Sequence, residues 1–115
     1  MSSFIYKIVP ASLWQAAEVG GTFAGAPIDL ADGFIHFSTA AQVRETAARH
    51  FAGQSDLLLV AIDGGRLGEA LRFEVSRGGD LCPHLYGLLD TAFAAWVKPL
   101  PLGDGGVHEF PELAA

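Results

Sequence analysis

Residues 57–62, Leu-Leu-Leu-Val-Ala-Ile, form an unbroken apolar run that no other segment of the chain exceeds in length. The run has the length of a β-strand and falls far short of the roughly 20 residues that cross a bilayer. A strand with one wet face alternates apolar and polar positions, whereas this one is apolar throughout. It is therefore predicted to sit centrally in a sheet, covered on both sides. Asp63-Gly64-Gly65 closes it as a turn. Covering both sides needs a real core, and the composition provides one: 115 residues, 50% hydrophobic and 17% charged. A chain of that size buries about two-thirds of the surface it exposes when unfolded, and one domain over residues 1–115 is expected.

Other elements are arranged around that strand. Residues 4–9 read as a first strand stopped by Pro10, and Ser12 with Gln15 gives a capping-box start to a short helix ending at Gly20-Gly21. Residues 22–32 carry a Gly, a Pro and two Asp and read mostly as loop. Residues 33–38 are strand-like, with Phe34, His36 and Ser38 on one face and Ile35 and Phe37 on the other. Thr39, with Gln42 as its capping partner, opens a helix whose buried stripe is Ala40, Val43, Ala47 and Phe51; Gly53 ends it. Residues 71–75 alternate, which predicts Leu71, Phe73 and Val75 inward and Arg72 and Glu74 on the opposite face. Residues 92–98 read as the last strand, ended by Pro99 and Pro101. Two helices among mostly antiparallel strands predict an α+β fold.

Seven basic against thirteen acidic residues leave a formal charge of −6. Nucleic acid and anionic membranes are bound by clustered Lys and Arg, so neither is an expected partner. The partner expected instead is a small molecule. The single cysteine, Cys82, has no internal disulfide partner, and no charged segment precedes an apolar one at the start of the sequence, so the expected location is the cytoplasm. Dinucleotide-binding, P-loop, nucleophile-elbow and zinc-protease motifs are absent from the sequence.

Three segments carry candidate chemistry. In Asp32-Gly33-Phe34-Ile35-His36-Phe37-Ser38-Thr39, His36 and Ser38 leave one face of a strand, and Ser38 and Thr39 lie where a helix N-terminus offers N–H groups to an anion. The alternative is that Ser38 or Thr39 simply caps the helix. In Cys82-Pro83-His84-Leu85-Tyr86-Gly87, an extended backbone puts His84 and Tyr86 on one face, where an imidazole and a phenol can hydrogen-bond a base or ribose or move a proton. A rigid turn fixed by Pro83 and Gly87 is the alternative, and a Cys82 nucleophile paired with His84 is a further one. Glu74 is a general base or ribose-orienting carboxylate, or else decorates a solvated sheet face. The four histidines, at 36, 50, 84 and 108, have no metal-ligand spacing, so no metal is expected. Trp14 and Trp96 are expected as core anchors.

Tyr6-Lys7-Ile8, the Asp-Gly-Phe-Ile-His-Phe-Ser segment at 32–38, Arg72-Phe73-Glu74 and Pro83-His84-Leu85-Tyr86-Gly87 together resemble domain-of-unknown-function family 952, a family of small bacterial proteins. The resemblance runs from Tyr6 to about Pro111. It implies an ADP-ribosyltransferase-like fold, a split pair of small antiparallel sheets with a cleft between them. Within that fold the His36-Phe37-Ser38 segment is similar to the RNA 2′-phosphotransferase family. The implied ligand is NAD or a related nucleotide. The Arg or His that such transferases carry on the first strand has no clean match here, and Lys7 is the nearest basic residue.

The combined reading is a cleft lined by His36, Ser38, Thr39, Glu74, His84, Tyr86 and Lys7. His36, Glu74 and His84 are its candidate reacting groups, acting in glycosyl or phosphoester transfer on a phosphorylated small molecule. A non-enzymatic module binding a metabolite or a protein through the same cleft, and a glutathione S-transferase-like thiol enzyme using Cys82, are the rival readings.

Overall fold

A computed structural model describes residues 3–76 and 78–115. In chain order the described elements are β1 (Phe4–Pro10), α1 (Ala11–Gly20), β2 (Thr22–Phe23), α2 (Pro27–Asp32), β3 (Ile35–His36), β4 (Ser38–Thr39), α3 (Val43–His50), β5 (Leu57–Asp63), β6 (Leu71–Val75), β7 (Leu81–Leu85), β8 (Leu89–Asp90) and β9 (Ala94–Pro99). Short 3₁₀ turns join several of them. Every strand pairing is antiparallel. With three helices beside these sheets the architecture is α+β.

The apolar run became β5, which lies inside the four-stranded sheet β4-β1-β5-β9. Its alternate side chains enter two separate cores. Val60 and Ile62 join Ile5, Val9, Trp14 and Phe23 on one face, while Leu57, Leu59 and Ala61 join Tyr6, Ile8, Val43 and Ala47 on the other. Trp14 is fully buried, as a core anchor should be. A strand buried on both faces has no position at which a polar residue is free of cost. Lys7 is nevertheless on β1, in the same alternation as Ile5 and Val9, and 6% exposed.

Local starts and stops explain where the sequence reading and the structure part. Helix α1 begins at Ala11, not at a Ser12 cap: Pro10 fixes the entry at φ −55°, and the Ala11 N–H donates to the Asp56 carbonyl at 2.8 Å. Residues 22–32 are not mostly loop, because Pro27 occupies the first turn of α2 and Gly33, at φ 85°, closes it. Residues 33–38 are not one strand. Ile35 and His36 pair with β7, the Phe37 N–H still reaches the Pro83 carbonyl, and Ser38 and Thr39 then pair with β1 in the other sheet. Helix α3 accordingly starts at Val43, four residues later than expected, although Gln42 Oε1 does accept from the Thr39 N–H at 3.1 Å. The last strand starts at Ala94, after a 3₁₀ turn over Thr91–Phe93 that Asp90 caps by accepting from the Ala92 N–H.

The second large sheet is β3-β7-β6, with β6 at its edge. The expectation that Leu71, Phe73 and Val75 all point inward is overturned: Phe73 is 48% and Val75 71% exposed. The β6–β7 hairpin runs past the end of the core. Leu71 and Leu85 still pack on it, but Val75 and its cross-strand partner Leu81 have left it. Among the described residues no helix is long and apolar enough to cross a membrane.

Candidate functional site

The opposite, polar face of that hairpin carries the site. The β6–β7 register sets Arg72 across from His84 and Glu74 across from Cys82. Pro83 sits in the middle strand without breaking it, since its carbonyl still accepts from Phe37. The segment from Cys82 is therefore extended rather than a rigid turn. His84 and Tyr86 leave one face and converge on one oxygen: Glu74 Oε1 accepts from His84 Nδ1 at 2.8 Å and from the Tyr86 hydroxyl at 2.7 Å. An ionised carboxylate only accepts, so His84 donates through Nδ1, and Nε2 is the ring nitrogen left for a further partner. Among the described residues Glu74 Oε2 has no hydrogen-bond partner, and its side chain is 37% exposed.

These bonds fix the carboxylate's electrostatics. Donation by Tyr86 and then by His84 lowers the Glu74 pKa from its ordinary value, and the same bond to Glu74 raises that of Tyr86. An aromatic wall stands beside them. The Phe34 ring stacks on His84 at 4.1 Å and lies 4.6 Å from His36 and 5.2 Å from Tyr86, while the Arg72 guanidinium sits 4.8 Å over the Tyr86 ring. His36 and His84 are cross-strand partners with ring centres 5.5 Å apart.

Beneath His36 lies a carboxylate that the sequence reading did not single out. Asp29, with no exposed side-chain surface, accepts from the Ala26 N–H at 2.8 Å, the His36 N–H at 3.0 Å and His36 Nδ1 at 2.6 Å. Lys7 Nζ lies 3.0 and 2.9 Å from its two oxygens. Burial alone would raise the Asp29 pKa, but the His36 bond and the Lys7 charge outweigh it and hold the carboxyl well below the usual range. For Lys7, burial lowers the pKa by more than Asp29 raises it. His36 Nε2 meets Asp32 at 3.0 Å, so both ring nitrogens face carboxylates. Gly25 is required here: at φ 127°, a Cβ on it would come within 2.7 Å of the Asp29 Cβ. Pro27 before Asp29 and Gly33 after it were the readable signals of this helix. The pairing with Lys7, across 22 residues, left no local mark.

The expected residues therefore divide. His36, Glu74, His84 and Tyr86 come together on one face. Ser38 does not share it: it is buried in the other sheet, where its hydroxyl shares a hydrogen bond with Thr46 at 2.8 Å. Thr39 pairs with Ile5 at the edge of that sheet. Lys7 supports the site from below rather than lining it. Cys82 donates to Ser76 at 3.1 Å, and His84 is committed to Glu74 rather than to the thiol. Clefts of about 540 and 290 Å³ lie elsewhere, the first between α3 and the segment from Gly105 to Phe110, the second against Leu71 and Phe73 on the other face of β6. The polar groups of the β6–β7 face converge on Glu74. Among the described residues no group of three or more His, Cys, Asp or Glu is arranged to hold a metal.

Residues 8–97 match the family described as "Protein of unknown function (DUF952)", and the chain belongs to that family. It is also similar to protein CC0527 from Caulobacter crescentus. Against the X-ray crystal structure of CC0527 the identity is 45% and the TM-score 0.90, over 93% of this chain and 94% of that one. Against the solution NMR structure the values are 46% and 0.83, over 90% of each chain. No curated protein matches the chain.

Proposed function

We propose that the polar face of the β3-β7-β6 sheet binds a ribose-containing phosphorylated small molecule of the NAD or ADP-ribose type, within an ADP-ribosyltransferase-like fold. The observation that carries the reading is the half-exposed Glu74 carboxylate, fixed through one oxygen by His84 and Tyr86 and open at the other. Vicinal ribose hydroxyls are the donors such an oxygen takes. Phe34 and Tyr86 offer ring faces to a base, and Arg72, with its guanidinium over Tyr86, is a cation at this face suited to a phosphate. Ser38, Thr39 and the α3 N-terminus, the phosphate holders expected from the sequence, drop out of this reading because they belong to the other sheet.

In the transfer version of the reading, the bond between ribose and its leaving group breaks with the electron pair going to the leaving group. Glu74 then stabilises the positive charge left on the ribose carbon. The oxygen of the incoming hydroxyl bonds to that carbon as His84 Nε2 takes its proton. The Glu74 side chain is 37% exposed to water, which weakens its hold on a developing charge and favours a second reading, recognition of the same ligand without chemistry. Calorimetric titration with NAD and with ADP-ribose tests the proposal, and Glu74→Gln is expected to weaken binding by at least about tenfold, or 1.4 kcal/mol. Glycohydrolase or transferase turnover separates the two versions. Equal affinity in the Gln variant removes Glu74 from the site.

A further inference from the structure

The free edge of β6 carries a second inference, independent of the ligand. β6 pairs with β7 on one side only, and among the described residues no backbone hydrogen bond reaches its other side. The Tyr86 N–H donates to the Ala70 carbonyl and the Ser76 N–H to the Asp80 carbonyl, so Ala70, Arg72, Glu74 and Ser76 turn their backbone groups toward β7. Leu71, Phe73 and Val75 consequently turn theirs outward. Leu71–Val75 has no lysine, proline or bulge to protect its edge, and its two charges, Arg72 and Glu74, are of opposite sign. Its apolar side chains are bare as well: Phe73 and Val75, with Leu81 beside them at 52%, lie in water.

The geometry points to a second copy of this chain as the occupant, through antiparallel pairing of β6 with β6 about a two-fold axis at Phe73. The strand sequence Leu-Arg-Phe-Glu-Val is complementary to itself in that register. Phe73 meets Phe73 of the partner subunit and Leu71 meets the partner's Val75, and each such pair exchanges both N–H···O bonds from the groups that point outward. Arg72 meets the partner's Glu74 in the closer, non-hydrogen-bonded pairs, opposite charges facing each other on both sides of the axis. No other register of this strand on itself pairs both charges. An unrelated strand would satisfy the backbone but has no reason to match the alternation of charge. The arrangement joins two three-stranded sheets into one of six, removes both open edges, and brings a guanidinium from each copy to the Glu74 of the other.

Sedimentation equilibrium of the full chain up to about 1 mM, the weak end of specific association, tests this. The expected result is a species of twice the 12.1 kDa chain mass that Phe73→Lys converts to 12.1 kDa with its amide spectrum otherwise unchanged. Arg72→Glu alone places like charges across the axis and is expected to dissociate the pair. Mixing that variant with Glu74→Arg restores opposite charges at both positions and is expected to give a mixed dimer. A wild-type chain that stays at 12.1 kDa overturns the proposal and leaves the edge to a strand from another protein. A dimer that survives both Phe73→Lys and Arg72→Glu overturns it as well.

Discussion

β1 and β5 run through the four-stranded sheet with side chains buried on both faces, whereas β6, at the edge of the three-stranded sheet, leaves Phe73 and Val75 in water and turns Arg72 and Glu74 toward two histidines and a tyrosine. Both sheets are antiparallel, and both draw on strongly apolar sequence. They differ in what is asked of their polar groups. In the first sheet the one buried charge, Lys7, is neutralised within the protein by Asp29. In the second, Glu74 is held in place by neutral or shared donors but keeps an oxygen for something outside. A buried ion pair is satisfied from within the protein, whereas a fixed carboxylate with one open oxygen is where we propose that a ligand binds.

Removing that inner neutralisation is the largest way to break the contrast. Asp29→Ala leaves the Lys7 ammonium buried without a partner and strips His36 of its support, and about 3–5 kcal/mol of stability is expected to disappear in chemical denaturation. An ordinary core truncation such as Leu59→Ala is expected to cost about 2–5 kcal/mol, so the polar residue should rank with the apolar ones. The pH dependence follows from the same carboxylate. Asp29 has a depressed pKa in the folded state and one near 3.9 unfolded, so in acid the unfolded chain binds the proton more readily. Its contribution is complete above about pH 5 and is lost as the pH falls through 3.9 and beyond. Thermal melts across that range should show the acid loss in the wild type and a flatter limb in Asp29→Asn.

Changes on the outer face should move function and leave stability alone. Glu74→Gln is expected to shift stability by no more than about 0.5 kcal/mol, since the side chain is well exposed. The same substitution removes the charge that raises Tyr86, so the tyrosine ring-carbon titration of Tyr86 should move back down toward about 10. A titration unchanged by the substitution would mean that the Tyr86–Glu74 bond does not form in solution. Smallest of all, Glu45→Ala on the solvent side of α3 breaks an exposed pair with Arg49 and should cost about 0.3–0.5 kcal/mol, fading with salt.

The contrast also explains which parts were legible in the sequence. β5 could be read because burial on both faces writes itself as an unbroken apolar run, and the Val43 and Ala47 stripe of α3 because one covered face repeats every three to four residues. β6 was readable in extent, but of its apolar face only Leu71 is covered. Alternation states that a strand has two different faces, not which of them is covered, and a hairpin that outruns the core exposes the apolar one. The convergence of His84, Tyr86 and Glu74 followed from alternation on two segments, though their adjacency did not. Ser38 was misplaced because a chain can change sheets between two residues without a Gly or Pro to mark it. Asp29 was missed because a six-residue helix built around a Pro and two Asp has the composition of a loop.

The claim that the Glu74–His84–Tyr86 face is the binding surface is tested most directly by titrating ADP-ribose into isotope-labelled protein and following every backbone amide. The account predicts saturable shifts centred on Phe34, His36, Glu74, His84 and Tyr86, abolished or weakened about tenfold by Glu74→Gln. Saturable shifts that fall instead on Arg44, Ala48 and Phe110 around the 540 Å³ cleft, or no shifts at all at millimolar ligand, would contradict it.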